Sequence, residues 1–160
     1  MWKYSSKNDY PNISLHDCHV TKISVENKDI ILEFDDNGFW MIENNKYNPF
    51  GKTLRTDKSE IRFVNCQLDS ISIYIFKVFH LFRKPILTNR IEIPLENLMY
   101  QINSSKWRFE FIDELYACNE ALFNGWIWFD KKPYHMECQL QLLFEDMKYS
   151  WNRICEDKQW

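Results

Sequence analysis

Four consecutive residues, His16-Asp17-Cys18-His19, are the densest group of side chains in this chain that could do chemistry. Imidazole, carboxylate and thiol together can ligate a metal, and a thiolate beside a base can act as a nucleophile. On an extended backbone His16 and Cys18 share one face while Asp17 and His19 share the other, so no single face collects all four. A metal would need ligands from elsewhere, and His135 with Cys138 is the other His/Cys pair close in sequence. Neither segment has the paired Cys-x-x-Cys or His-x-x-x-His spacing of structural zinc. The expectation is therefore a core Cys18, histidines bonded to nearby backbone, and His16, Asp17, Cys18 and His19 at the rim of a candidate pocket. No metal, cofactor or catalytic residue is expected. Asp35-Asp36 falls in a turn, where aspartate bonds locally. The near absence of glycine, three residues in all, leaves no phosphate-cradling loop.

The second candidate is a surface. Leu122–Phe129 and Met136–Phe144 alternate as strands around the loop Asp130–His135. Pairing Phe129 with Met136 sets Ile127 opposite Cys138 and Gly125 opposite Leu140 on the core side. The other face then joins Trp128 to Glu137, Trp126 to Gln139 and Asn124 to Gln141. Tryptophans beside amide and carboxylate groups suit a sugar-like ligand, a partner protein or a second layer of the same fold. Trp126, Trp128, Glu137 and Gln139 are the candidate binding residues, with a protein partner or a homodimer as their target.

The elements that must position these residues are strands. The chain has 160 residues, 45% hydrophobic and 17% aromatic, with alanine only at Ala117 and Ala121. That bias favours sheet over helix, and the length supports a core without disulfide or metal. A formal net charge of −3 argues against nucleic acid as partner. Five cysteines without regular spacing read as reduced and mostly buried. The opening residues show no export signal, which predicts a cytosolic protein. Ile71–Phe82, interrupted by Ser72, Lys77 and His80, is too short and polar to span a bilayer, so no membrane is expected.

In chain order, Met1–Asn12 reads as a loosely attached arm. Cys18–Val25 and Asp29–Phe34 form a hairpin, and Asp35–Gly38 turns into Phe39–Ile42 with Gly38 at positive φ. Val20 and Ile23 fall out of phase, which calls for a bulge near Thr21-Lys22. Glu43–Ser59 reads as loop; Glu60–Cys66, Ile71–Phe82 and Ile86–Ile93 read as strands. Pro94 opens a helix to about Asn103, with Leu95, Leu98, Met99 and Ile102 at helical spacing. Trp107, Phe109 and Phe111 alternate as a strand, followed by a linker over Asp113–Asn119. The tail from Met147 predicts a short edge segment through Tyr149 and Trp151, then a loose end at 153–160. The expected fold is one mainly β domain over 1–160, an antiparallel sandwich or partly open barrel with one short helix near 94–103.

Leu15-His16-Asp17-Cys18, followed by Ile23-Ser24-Val25, Ile30–Phe34 and Asp36-Asn37-Gly38-Phe39-Trp40, resembles the opening of a group of small, functionally uncharacterised bacterial proteins. The resemblance covers the first quarter of the chain. It implies a small bacterial domain of the kind found beside toxin or phage genes as an immunity or accessory protein, and it supplies no catalytic residues.

Overall fold

A computed structural model describes residues 1–82 and 84–160, with the side chain of His80 left aside. The strands are β1 (Tyr4–Lys7), β2 (Ile13–Ser14), β3 (His19–Glu26), β4 (Asp29–Phe34), β5 (Trp40–Met41), β6 (Leu54–Thr56) and β7 (Ser59–Val64). The second half adds β8 (Ser72–Leu81), β9 (Lys84–Glu92), the helix α1 (Leu95–Asn103), β10 (Arg108–Ala117), β11 (Glu120–Trp128), β12 (His135–Leu143), β13 (Asp146–Trp151) and β14 (Ile154–Gln159). Ten strands form one antiparallel sheet in the order β1-β13-β7-β4-β3-β10-β11-β12-β8-β9. Four more form a small sheet, β14-β6-β5-β2, and neither closes into a barrel. The fold is mainly β, a sandwich with one short α-helix among the described residues.

The large sheet folds on itself. β3 and β10 pair only through Val20–Phe109 and His19–Glu110, a two-residue hinge between two five-stranded halves. β7 and β11 stand four strand spacings apart, roughly 19 Å in a flat sheet. Yet the Phe63 and Phe123 rings on those strands are 5.8 Å apart. The inner faces therefore meet, as in packed sheets that share strands at a corner. Phe34, Phe109, Phe111, Phe123 and Tyr149 fill the space between them. Beyond the hinge β3 has lost its neighbour, and α1 replaces it. The Ile23 N–H donates to Asn103 Oδ1 at 2.8 Å, and Asn103 Nδ2 donates back to the Ile23 carbonyl at 2.8 Å. One side-chain amide thus satisfies the strand edge as a backbone would.

Local chemistry sets the turns as expected. Gly38 has φ +52°, and a Cβ there would lie 2.1 Å from the Asp57 carbonyl oxygen. The Asp35 carboxylate accepts the Asn37 N–H at 2.8 Å, which makes it a turn former. The ladder between β3 and β4 slips between Val20 and Lys22, which is the predicted bulge.

Five expectations of the strand map need correction. Glu43–Ser59 is not loop throughout: Leu54–Thr56 is β6, paired with β5 and β14, and Ser59 already opens β7. The N-terminal arm is strand β1, pairing with β13 from Tyr4–Trp151 to Lys7–Lys148. β13 is not an edge: it lies between β1 and β7, and Tyr149 and Trp151 are fully buried beneath this pairing. The tail beyond it is β14, paired with β6, and the Trp160 N–H donates to the Thr53 carbonyl. Residues 113–117 are not a linker but the second half of β10, which turns tightly through Cys118-Asn119 into β11. A bulge at Ile112 switches the phase there, and that hides the strand from a period-two reading.

Candidate functional site

His16-Asp17-Cys18-His19 does not lie along a strand. Leu15–Cys18 is a turn, closed by the Cys18 N–H donating to the Leu15 carbonyl at 2.9 Å, with Asp17 at φ +56°. The turn continues the hinge. Asp17 N–H donates to the Phe111 carbonyl, and Phe111 N–H donates to the Cys18 carbonyl. His16 Nδ1–H donates at 2.7 Å to the carbonyl of Ile112, the residue freed by the bulge. Trp40 Nε1 donates to the His16 carbonyl, and Arg55 Nη2 donates to the Asp17 carbonyl while its guanidinium covers the Trp40 ring at 4.1 Å. Trp160 closes the cluster against Trp40 and His16. Cys18 is fully buried, and burial pushes its thiol up to about 12. A thiol so placed is no nucleophile at neutral pH. These residues build a corner between the sheet halves.

His19 parts from the other three. It opens β3 on the outer face, with Nε2 3.5 Å from Glu110 Oε1. Glu110 faces Trp126 across β10 and β11, and its other oxygen accepts the Trp128 indole N–H at 2.5 Å. Trp126 faces Glu137 on β12, and Glu137 faces Phe76 on β8. Phe76 faces Arg90 on β9. Ladder register thus writes one row across six strands: His19, Glu110, Trp126, Glu137, Phe76, Arg90. Sequence alternation positions it, because Phe123, Gly125 and Ile127 fill the inner face of β11 and turn Asn124, Trp126 and Trp128 outward.

The hairpin register differs from expectation by two residues. Trp126 pairs with Glu137, Trp128 with His135 and Asn124 with Gln139. Phe129 leaves the ladder because its N–H closes the loop on the Tyr134 carbonyl, and its ring packs on Trp107. A two-residue slip keeps every side chain on its face, so Trp126, Trp128, Glu137 and Gln139 still share the outer surface. Both tryptophans are half-buried, Glu137 is exposed, and the His135 ring lies edge-on to Trp126 at 4.8 Å.

A cavity of about 310 Å³ opens on this face, lined by Trp126, Phe76, Asn124, Gln139, Glu137 and Asp113. Its floor is the backbone at Gly125 and Cys138. Two aromatic walls and a set of carboxylates and amides can hold a ligand that presents an apolar face and hydrogen-bond donors. Phe76, Asp113 and Glu110 were missed from sequence: the partner strand of β12 lies far away in the chain, and the bulge at Ile112 breaks the period-two phase of β10 before Asp113. Cys138 points the other way, buried with its thiol at about 12. Hence His135 and Cys138 lie on opposite faces of β12. Among the described residues no three His, Cys, Asp or Glu side chains gather as a metal site. No helix among them is long and apolar enough to cross a membrane.

Comparison of the chain with protein-family models, curated proteins and solved structures gave no match.

Proposed function

We propose that this chain is a cytosolic binding module whose contact surface is the outer face around Trp126 and Trp128, and that its target is a protein partner. The observation that carries this reading is the row of Trp126, Glu137 and Phe76, half-open above a cavity with aromatic walls. Half-exposed tryptophan beside hydrogen-bonding groups is the composition of binding hot spots. Indole removed from water contributes about 25 cal/mol per Å² on contact, without new backbone order. Five free cysteines, four of them buried, suit a reducing compartment. The resemblance of residues 15–40 to small bacterial proteins favours an immunity or accessory role, in which a small β domain neutralises or assists one partner.

The test is capture by the immobilised chain from the organism of origin, followed by direct titration of the purified partner. Trp126→Ser with Trp128→Ser should keep the far-UV spectrum and thermal melt while losing the interaction. Undiminished binding by the folded double variant would move the contact elsewhere. A double variant that fails to fold would place both tryptophans in the structural core and end the surface reading.

A further inference from the structure

The cavity beside Trp126 lies between two neighbouring ladder rows on the outer face. One row sets Trp126, Glu137 and Phe76 on β11, β12 and β8; the other sets Asp113, Asn124 and Gln139 on β10, β11 and β12. Trp126 and Phe76 stand two strand spacings apart, roughly 10 Å between backbones, so an aromatic side chain flanks Glu137 on either side.

The charge of this slot is unbalanced. Asp113 and Glu137 are both exposed, and among the described residues neither takes part in an ion pair or a side-chain hydrogen bond. Glu110, next in the row, is engaged by His19 and Trp128. Gln139 Nε2 donates to Asn124 Oδ1 at 3.1 Å, which leaves the Gln139 side-chain oxygen as a further acceptor. No Lys, Arg or His is among the lining residues. Across β10, β11 and β12 the outer face carries Glu110, Asp113, Glu120 and Glu137 against Arg108. Acceptors and negative charge exceed donors and positive charge, so a cation that brings its own N–H groups completes the site.

Guanidinium fits this slot better than ammonium. Asp113 and Glu137 approach from β10 and β12, on opposite sides of β11, and a planar fork has donors along both edges to give them. Its flat faces pack on aromatic rings, as cation–π contact requires. The chain makes the same contact internally. The Arg90 guanidinium lies 3.5 Å from the centre of the Tyr74 ring, and Tyr74 is the neighbour of Gln139 on this face. Arg90 is thereby held at Tyr74 and does not line the cavity. At about 310 Å³ the cavity is at the small end of the roughly 300–1,000 Å³ of ligand pockets, a size for one side chain.

We propose that this cavity is an arginine anchor site: it takes one arginine side chain of the protein partner, stacked between Trp126 and Phe76 and hydrogen-bonded to Asp113 and Glu137. The proposal rests on the Trp126 face being the contact surface, and it names the group that the partner presents there.

Titration of the full chain with N-acetyl-arginine methylamide tests the pocket, followed by NMR through the Trp126 indole N–H and the Gly125 and Gln139 amides. Saturable shifts at these positions are expected, with a dissociation constant of about millimolar order. The neutral isostere N-acetyl-citrulline methylamide should bind at least about tenfold more weakly, and N-acetyl-lysine methylamide should also bind more weakly. Asp113→Asn with Glu137→Gln changes two exposed side chains, so it should keep the thermal melt and weaken arginine at least about tenfold. The absence of a saturable shift up to about 50 mM, equal binding of citrulline or lysine, or undiminished binding by the carboxylate variant would each overturn the proposal. So would shifts produced by methyl glucoside in place of arginine, because the slot would then be a sugar site.

Titration of the captured partner separates the anchor from the surface that carries it. The carboxylate variant should weaken partner binding at least about tenfold. Full partner binding by that variant, with loss in Trp126→Ser/Trp128→Ser, would overturn the anchor and leave the contact surface standing. Full binding by both variants would end the contact surface and the anchor with it, even where free arginine still shifts Trp126.

Discussion

The ring of Phe109 lies against the backbone of Gly125 on the neighbouring strand, so closely that a Cβ on Gly125 would stand 2.6 Å from Cε2 of that ring. The same Cβ would stand 2.2 Å from the Glu110 carbonyl oxygen, and backbone cannot move aside as a side-chain end can. Gly125 is thus the point where the inner face takes in an aromatic ring and the outer face forms the cavity floor.

Gly125→Ala should therefore destabilise the chain by about 1–3 kcal/mol, as overpacking in a closed core does. Denaturant melts measure it, and no loss would mean that Phe109 has room to move away.

Leu32 and Phe109 are each 1% exposed. Replacing either by alanine should cost about 2–5 kcal/mol. Glu33 lies on the alternate face, bonded to Lys22 and Lys58 at the surface, and Glu33→Ala should cost far less. Equal losses at Leu32 and Glu33 would contradict the β4 register.

Thiol chemistry should divide the five cysteines. Cys118 is exposed in the β10–β11 turn, while Cys18, Cys66, Cys138 and Cys155 are buried. Burial lifts the Cys66 thiol to about 11 and those of Cys18 and Cys138 to about 12. A disulfide reagent at neutral pH should label one thiol quickly in the native chain and five after denaturation. Fast labelling of more than one thiol would show that the core opens locally.

Glu114 should give stability an unusual pH slope. Burial raises its carboxyl above the ordinary value of 4.5, against the Leu15 N–H and Tyr116 hydroxyl that donate to it and the nearby His16. The folded state then holds this proton more tightly than the unfolded state. Its contribution is complete below about pH 4.5 and is lost as pH rises through the raised folded value. Asp29, lowered by the Asn65 N–H and by Arg62, acts in reverse and loses its contribution as pH falls through its folded value. Glu114→Gln should gain stability relative to wild type as pH rises above about 4.5. A constant difference across that range would show that Glu114 ionises as freely folded as unfolded.

Much of this molecule follows from near neighbours in the chain. The strand alternation of β4 and β11, the slip at Thr21, the positive φ of Gly38 and the helix after Pro94 each rest on interactions spanning a few residues, and each was legible. So was the sharing of one face by Trp126, Trp128, Glu137 and Gln139, because period two survives a slip of two. Tertiary structure decided what depends on a distant partner. β13 became interior because β1 arrived from the other end of the chain. His16-Asp17-Cys18 became a corner because the Ile112 bulge offered it a carbonyl. The cavity beside Trp126 exists because β8, some sixty residues away from β12 along the chain, brought Phe76 to its edge. Side-chain periodicity encodes which way a residue points. It does not encode which strand will lie beside it, since many apolar faces of similar shape compete for the same core, and only the simultaneous packing of all of them selects one arrangement.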